Sequence, residues 1–106
     1  MGGSYNMKKI LLVCNAGMST SLLVAKMKEA ASSMGLECEI YAHPISSVKE
    51  KGLDCDIILL GPQVRFQLKK VKDMLPGKLV DVIDIQAYGT MDGAKVIAKA
   101  KETMGV

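Results

Sequence analysis

The sequence predicts an α/β fold: a four-stranded parallel sheet in the order 2-1-3-4 with helices on both faces, an open three-layer sandwich. Three observations lead there. Strand-like and helix-like segments alternate along the chain, and right-handed crossovers make a parallel sheet covered on both sides the expected packing of such a pattern. Two segments, Ile10-Leu11-Leu12-Val13-Cys14 and Ile57-Ile58-Leu59-Leu60, are apolar without interruption, as strands buried on both faces must be, and therefore belong at the centre. At 106 residues the chain makes one domain, large enough to bury a core without disulfides or metals.

The elements follow in order. Met1-Gly2-Gly3-Ser4-Tyr5-Asn6 is small, polar and unpatterned, and reads as a disordered leader or cloning remnant before a single domain over 7–106. After the first strand, Leu23, Met27, Ala30 and Met34 recur at helical spacing and Gly35 supplies a C-terminal cap, so a helix is expected from about Ser19 to Met34. Leu36 to Ala42 reads as a second strand, and Ser46 to Lys51, closed by Gly52, as a short helix. Asp56 to Leu60 is the third strand. Val64, Leu68, Val71 and Leu75 mark a third helix stopped by Pro76-Gly77, and Leu79 to Ile83 is the fourth strand. Tyr88 and Gly89 fall in the loop that follows, and a last helix spans about Met91 to Met104, with Ile97, Ala100 and Met104 on its inner face.

Composition removes several function classes. A net charge of +3 is spread over lysines interleaved with acids, and Arg65 is the single arginine, so no continuous basic surface for nucleic acid is present. Cys14, Cys38 and Cys55 are odd in number with no C-x-x-C pair, which argues for a reducing cytoplasm and against a disulfide framework or a zinc site. No apolar run has the length of a membrane span and no signal peptide is evident, so any membrane role passes through a partner. No cofactor and no metal are called for.

The chemistry concentrates where the first strand ends. It delivers Cys14 into Asn15-Ala16-Gly17-Met18-Ser19-Thr20-Ser21, a run of small and hydroxyl residues that opens a helix. Loop amides, the free N–H groups of the first helical turn, the positive end of the helix dipole and the hydroxyls of Ser19, Thr20 and Ser21 would converge near the sulfur. Such a cradle favours a thiolate and equally a phosphoryl group carried on it. A buried structural cysteine is the plainer reading of a thiol at a strand end, but a merely structural turn has no use for three hydroxyls.

In the order 2-1-3-4 the winding reverses beside the first strand, and open α/β sheets bind ligands at that switch point, beyond the carboxyl ends of the strands. Cys14 lies there, and so do the strand ends at His43, Gly61-Pro62-Gln63 and Asp84. Gly61 permits close backbone approach and Gln63 can hydrogen-bond across the crevice, or the three residues are simply a turn. Asp84 is a loop carboxylate that could act as an acid near a phosphate. His43 has no second histidine or acidic cluster beside it and reads as a surface or partner-contact residue. Cys38, between Glu37 and Glu39, and Cys55, between Asp54 and Asp56, sit beside negative charge that disfavours thiolate and are read as structural. Met18 should face a partner.

Val13-Cys14-Asn15-Ala16-Gly17-Met18-Ser19-Thr20-Ser21-Leu22-Leu23-Val24, then Leu59-Leu60-Gly61-Pro62-Gln63, Val82-Ile83-Asp84 and Tyr88-Gly89, closely resembles the lactose/cellobiose class of enzyme IIB of the bacterial sugar phosphotransferase system. The likeness runs from about Lys8 to the C-terminus with the segments in family order. It implies that Cys14 accepts a phosphoryl group from a histidine of a IIA protein and passes it to a sugar, such as the β-linked disaccharides cellobiose or chitobiose, held by a membrane permease IIC. It also implies that Tyr88 stands at the rim of the site, that the protein is cytoplasmic, and that it meets the membrane only transiently through the permease.

The strand, cysteine, loop and helix are also similar to low-molecular-weight tyrosine phosphatases and their arsenate-reducing relatives, which share a comparable sheet. Those enzymes end the loop with an arginine, C-x5-R, that clamps the phosphoryl group. That position is Thr20 here. A third possibility, a regulatory binding module, would make Cys14 dispensable.

Overall fold

The computed structural model describes residues 7–14 and 20–106. Its strands are β1 (Lys8–Cys14), β2 (Cys38–Pro44), β3 (Ile57–Leu60) and β4 (Leu79–Val82), and its α-helices are α1 (Thr20–Ser33), α2 (Val48–Lys51), α3 (Leu68–Met74), α4 (Ile85–Gly89) and α5 (Gly93–Met104). The strands form one sheet in the order β2-β1-β3-β4, and every pairing is parallel. This is the expected architecture.

Alternation along the central strand sorts the core into two halves. Ile10 and Leu12 pack with Leu23, Met27, Ala31, Ile57, Leu59, Ile83, Ala87, Tyr88, Val96, Ile97 and Ala100 under α1, α4 and α5. Leu11 and Val13 pack with Val48, Ile58, Leu60, Val64, Val71, Leu75 and Val80 under α2 and α3. Successive strand side chains point to opposite faces, so one short strand anchors both layers. At its start, Asp56 pins the register of β1 against β3: its carboxylate accepts from the Lys9 amide at 2.8 Å, and its own amide donates to the Lys9 carbonyl at 2.8 Å.

Local chemistry sets the boundaries. Gly35 takes a left-handed φ of 72°, and the Leu36 amide donates to the Ala31 carbonyl at 2.9 Å while Gly35 donates to Ser32. This Schellman closure holds Leu36 against the helix, which is why β2 starts at Cys38 and not at Leu36. The same closure ends α5, where Gly105 is left-handed and Val106 donates to Lys101. The single helix expected across Val64 to Leu75 is two pieces. A 3-10 segment, Pro62–Gln67, kinks at Val64 before α3 begins, because Val64 is drawn into the core while its neighbours Arg65 and Phe66 turn outward.

β4 is an edge strand. In the parallel ladder the Ile83 amide donates inward to the Leu60 carbonyl at 2.8 Å, which turns the Val82 amide outward. That outward amide donates to the carboxylate of its own neighbour, Asp81, at 2.8 Å.

Fully buried Ile58 sits on the central face under α3. Ile58→Ala should lower stability by about 2–5 kcal/mol, seen in urea denaturation as a lower midpoint at unchanged slope.

Candidate functional site

Cys14 is the last residue of β1, paired with Pro44 of β2. By alternation it shares the face of Ile10 and Leu12, toward α1 and α5. It is in no disulfide and only 3% exposed, more enclosed than the open site that in-line transfer suggests. Of the expected loop, Asn15, Ala16, Gly17, Met18 and Ser19 lie outside the described residues. Thr20 opens α1 and Ser21 follows it, exposed.

The adjoining strand end comes close to the cysteine. The Gly61 amide donates to the Val13 carbonyl at 2.8 Å, extending the β1–β3 ladder by one residue. A Cβ placed on Gly61 would stand 3.6 Å from the Cys14 Cβ and 2.8 Å from Oε1 of Gln63. With φ at −62° the backbone conformation does not require a glycine, and the one tight contact is with the movable end of Gln63. The missing side chain leaves room for the Gln63 amide oxygen to stand over Gly61. Gly61 thus adjoins both Cys14 and Gln63.

Asp84 has a structural task. Its carboxylate accepts from the Ala87 amide at 3.0 Å as the N-cap of α4, and lies 3.9 Å from the Lys95 ammonium. The cap is worth more than the solvated ion pair. Tyr88 and Gly89, expected in a loop, belong to α4 instead; a strand-proximal Asp cap followed by Ile85-Gln86-Ala87 is enough to nucleate one turn. Tyr88 is only 7% exposed and packs in the core with Ile83 and Ala87. Its edge also reaches a groove of about 460 Å³ lined by Pro62, Gln63, Arg65, Phe66, Ile85, Tyr88 and Gly89.

His43 does not join these residues. It pairs with Val13 and so takes the opposite face of the sheet, where it lines a cavity of about 210 Å³ with Lys9, Leu11, Tyr41, Lys51, Asp54 and Cys55. Cys38 and Cys55 are kept from ionising as expected, but for a different main reason. Burial pushes the Cys38 thiol up, with no contribution from its flanking glutamates. Burial also leads for Cys55, with Asp54 and Asp56 adding to it and Lys78 and Lys9 opposing. Among the described residues, no three of His, Cys, Asp and Glu converge as a metal would require.

Sequence reasoning missed the exposed apolar residues at this end. Leu22 in the first turn of α1 is 53% exposed, Phe66 after β3 is 76% and Ile85 after β4 is 67%. Their signal was present: Phe66 lies two residues from Val64 and two from Leu68, out of phase with the buried stripe it interrupts.

Fold and site together define an open parallel α/β domain with a cysteine at its topological switch point. Comparison with known proteins narrows the class. Residues 9–99 match the family described as the lactose/cellobiose-specific IIB subunit of the phosphotransferase system, and the chain belongs to that family. It is 48% identical over 101 residues to the oligo-beta-mannoside-specific EIIB component of Bacillus subtilis, an alignment covering 92% of this chain and 97% of the relative. It is 43% identical over 104 residues to a galactose-specific and to a cellobiose-specific EIIB component, both of Lactococcus lactis, covering 92% of this chain and 96% of each. Among solved structures, the cellobiose-specific IIB component of Borrelia burgdorferi aligns at a TM-score of 0.77 with 36% identity, covering 93% of each chain. The lactose-specific IIB domain of Streptococcus pneumoniae aligns at 0.77 with 19% identity over 92% of this chain and 97% of that one, a likeness of fold. As IIB components, members of this family are sugar phosphotransferases that work with IIA and IIC partners. No helix among the described residues is long and apolar enough to cross a membrane.

The capping role of Asp84 is open to test. Asp84→Ala should destabilise the protein by about 1 kcal/mol, while Asp84→Asn, which keeps an acceptor for the Ala87 amide, should stay within a few tenths, as measured by thermal unfolding.

Proposed function

We propose that Cys14 is the phosphoryl acceptor and carrier. The observation that carries this reading is the placement of Cys14 at the end of the central strand, beside Gly61 and immediately before the segment leading into α1. In the first step the thiolate attacks phosphorus, the S–P bond forms, the N–P bond of a IIA phosphohistidine breaks, and its electron pair returns to the imidazole. In the second, a hydroxyl of the sugar held by IIC attacks the same phosphorus, the S–P bond breaks to release the thiolate, and the hydroxyl proton passes to a base on the acceptor side. The backbone amides of Asn15 to Ser21 and the hydroxyls of Ser19, Thr20 and Ser21 form the phosphate cradle.

Both partners must present a reacting atom to one sulfur, so they use overlapping surfaces in turn. Leu22, Phe66 and Ile85 emerge from the segments after β1, β3 and β4, at the cysteine's end of the sheet. Together with Met18 they supply the apolar part of that surface, and Gln63 and Arg65 supply a polar rim. A β-linked disaccharide such as cellobiose or chitobiose is the proposed sugar, a class supported by relatives named for oligo-beta-mannosides and cellobiose. The protein acts in the cytoplasm and reaches the membrane through the permease.

The phosphatase alternative lacks its guanidinium. Thr20 stands where that fork would be, and the chain's one arginine, Arg65, follows β3. Loss of a fixed positive charge from a phosphoryl-transfer site removes a large share of the transition-state stabilisation needed to attack an external monoester.

Intact-mass analysis after incubation with phosphorylated IIA tests the acceptor. Wild type, Cys38→Ser and Cys55→Ser should each gain one phosphoryl mass, and Cys14→Ser should gain none, because an alcohol with no adjacent general base is a poor nucleophile. Retained labelling of the Cys14 variant would overturn the assignment.

The same preparation separates carrier from phosphatase. Turnover of p-nitrophenyl phosphate should be negligible, and sustained Cys14-dependent release of nitrophenol would favour the phosphatase.

A further inference from the structure

Gly93, the first residue of α5, is pressed onto the backbone of α1. A Cβ at this position would lie 2.3 Å from the Lys26 carbonyl carbon, 2.5 Å from the Lys26 oxygen and 2.5 Å from the Met27 nitrogen. None of these atoms belongs to a side chain that could swing away. The contact falls in the second turn of α1, roughly 9 Å along the helix from Thr20. Gly93 is itself held from behind. Met91 adopts a left-handed φ of 54°, rare for a residue with a side chain, and the Asp92 amide donates to the Ala87 carbonyl at 2.8 Å. The Asp92 carboxylate then caps α5 through the Lys95 amide at 3.1 Å. The turn is thus tied to α4, whose cap Asp84 follows β4.

We infer that Gly93 is a positioning residue for phosphoryl transfer: it sets how closely α5 approaches α1, and through that where the N-terminus of α1 stands relative to Cys14. The inference rests on Cys14 being the acceptor. In-line transfer needs sulfur, phosphorus and the stabilising amides in fixed relation, and a shift of one helix by a fraction of its own radius disturbs all three. A glycine that served packing alone would affect stability and nothing else.

The test uses the full chain with phosphorylated IIA as donor, following S-phosphorylation by quenched intact-mass time courses. Gly93→Ala should lower the saturating rate about tenfold or more, leave the half-saturating donor concentration unchanged, and move the amide resonances of Ser21 to Leu23. Asp92→Ala, which loosens the same turn without a clash, should lower that rate several-fold and remains informative if Gly93→Ala fails to fold. Ala31→Val overpacks the far end of α1; it should cost thermal stability yet keep the rate within about twofold. The inference is overturned if the folded Gly93 and Asp92 variants keep the wild-type rate, or if the Ala31 variant slows in step with its loss of stability. Labelling of Cys14→Ser would instead defeat the acceptor assignment, so the two failures are distinct.

Discussion

Period-two alternation along one buried strand is the constraint on which the rest depends. β1 is flanked by a strand on each side and by helices above and below, so each of its side chains is committed to one layer or the other. A slip of one residue would send Ile10 and Leu12 into the layer shaped for Leu11 and Val13, and would turn Cys14 toward the His43 cavity. The hydrogen bonds exchanged by Lys9 and Asp56 at the strand's start and by Val13 and Gly61 at its end fix that register from both directions. The position of Cys14 is therefore set by core packing.

For the carrier role proposed for Cys14, a donor and an acceptor protein would approach one sulfur in succession, so affinity for either must stay modest. Separate exposed apolar side chains such as Leu22, Phe66 and Ile85, with polar neighbours, suit transient association better than a deep pocket does. Thr20 in place of an arginine acts in the same direction under that proposal, since a carried phosphoryl group would have to outlast the interval between partners.

Much of this was legible in the residues. Unbroken apolar runs identified the two central strands and so the sheet order with its switch point at Cys14, and the glycine at 35 marked a helix end. What escaped was set by tertiary context. Leu36 looks like a strand residue but is taken by the closure of α1, and Val64 looks like the first member of a helical stripe but is pulled into the core by a kink. α4 is a single turn whose only local signal is its Asp cap, too short to give periodicity. The side of the sheet occupied by His43 depends on the pairing of β2 with β1, which sequence spacing does not specify. Gly93 reads as an ordinary helix-start glycine until the backbone of α1 is seen against it.

One small feature at the sheet's margin bears on how such a protein survives at high concentration. An edge strand offers outward amides and carbonyls on which a second chain can nucleate, and a molecule that also displays exposed leucine, isoleucine and phenylalanine is doubly prone to self-association. On β4 the outward amide of Val82 is already engaged by the carboxylate of Asp81. A foreign strand arriving there meets an occupied donor and a negative charge. One outward donor of the β4 edge is thus withdrawn from pairing, while the exposed apolar side chains remain available to partners.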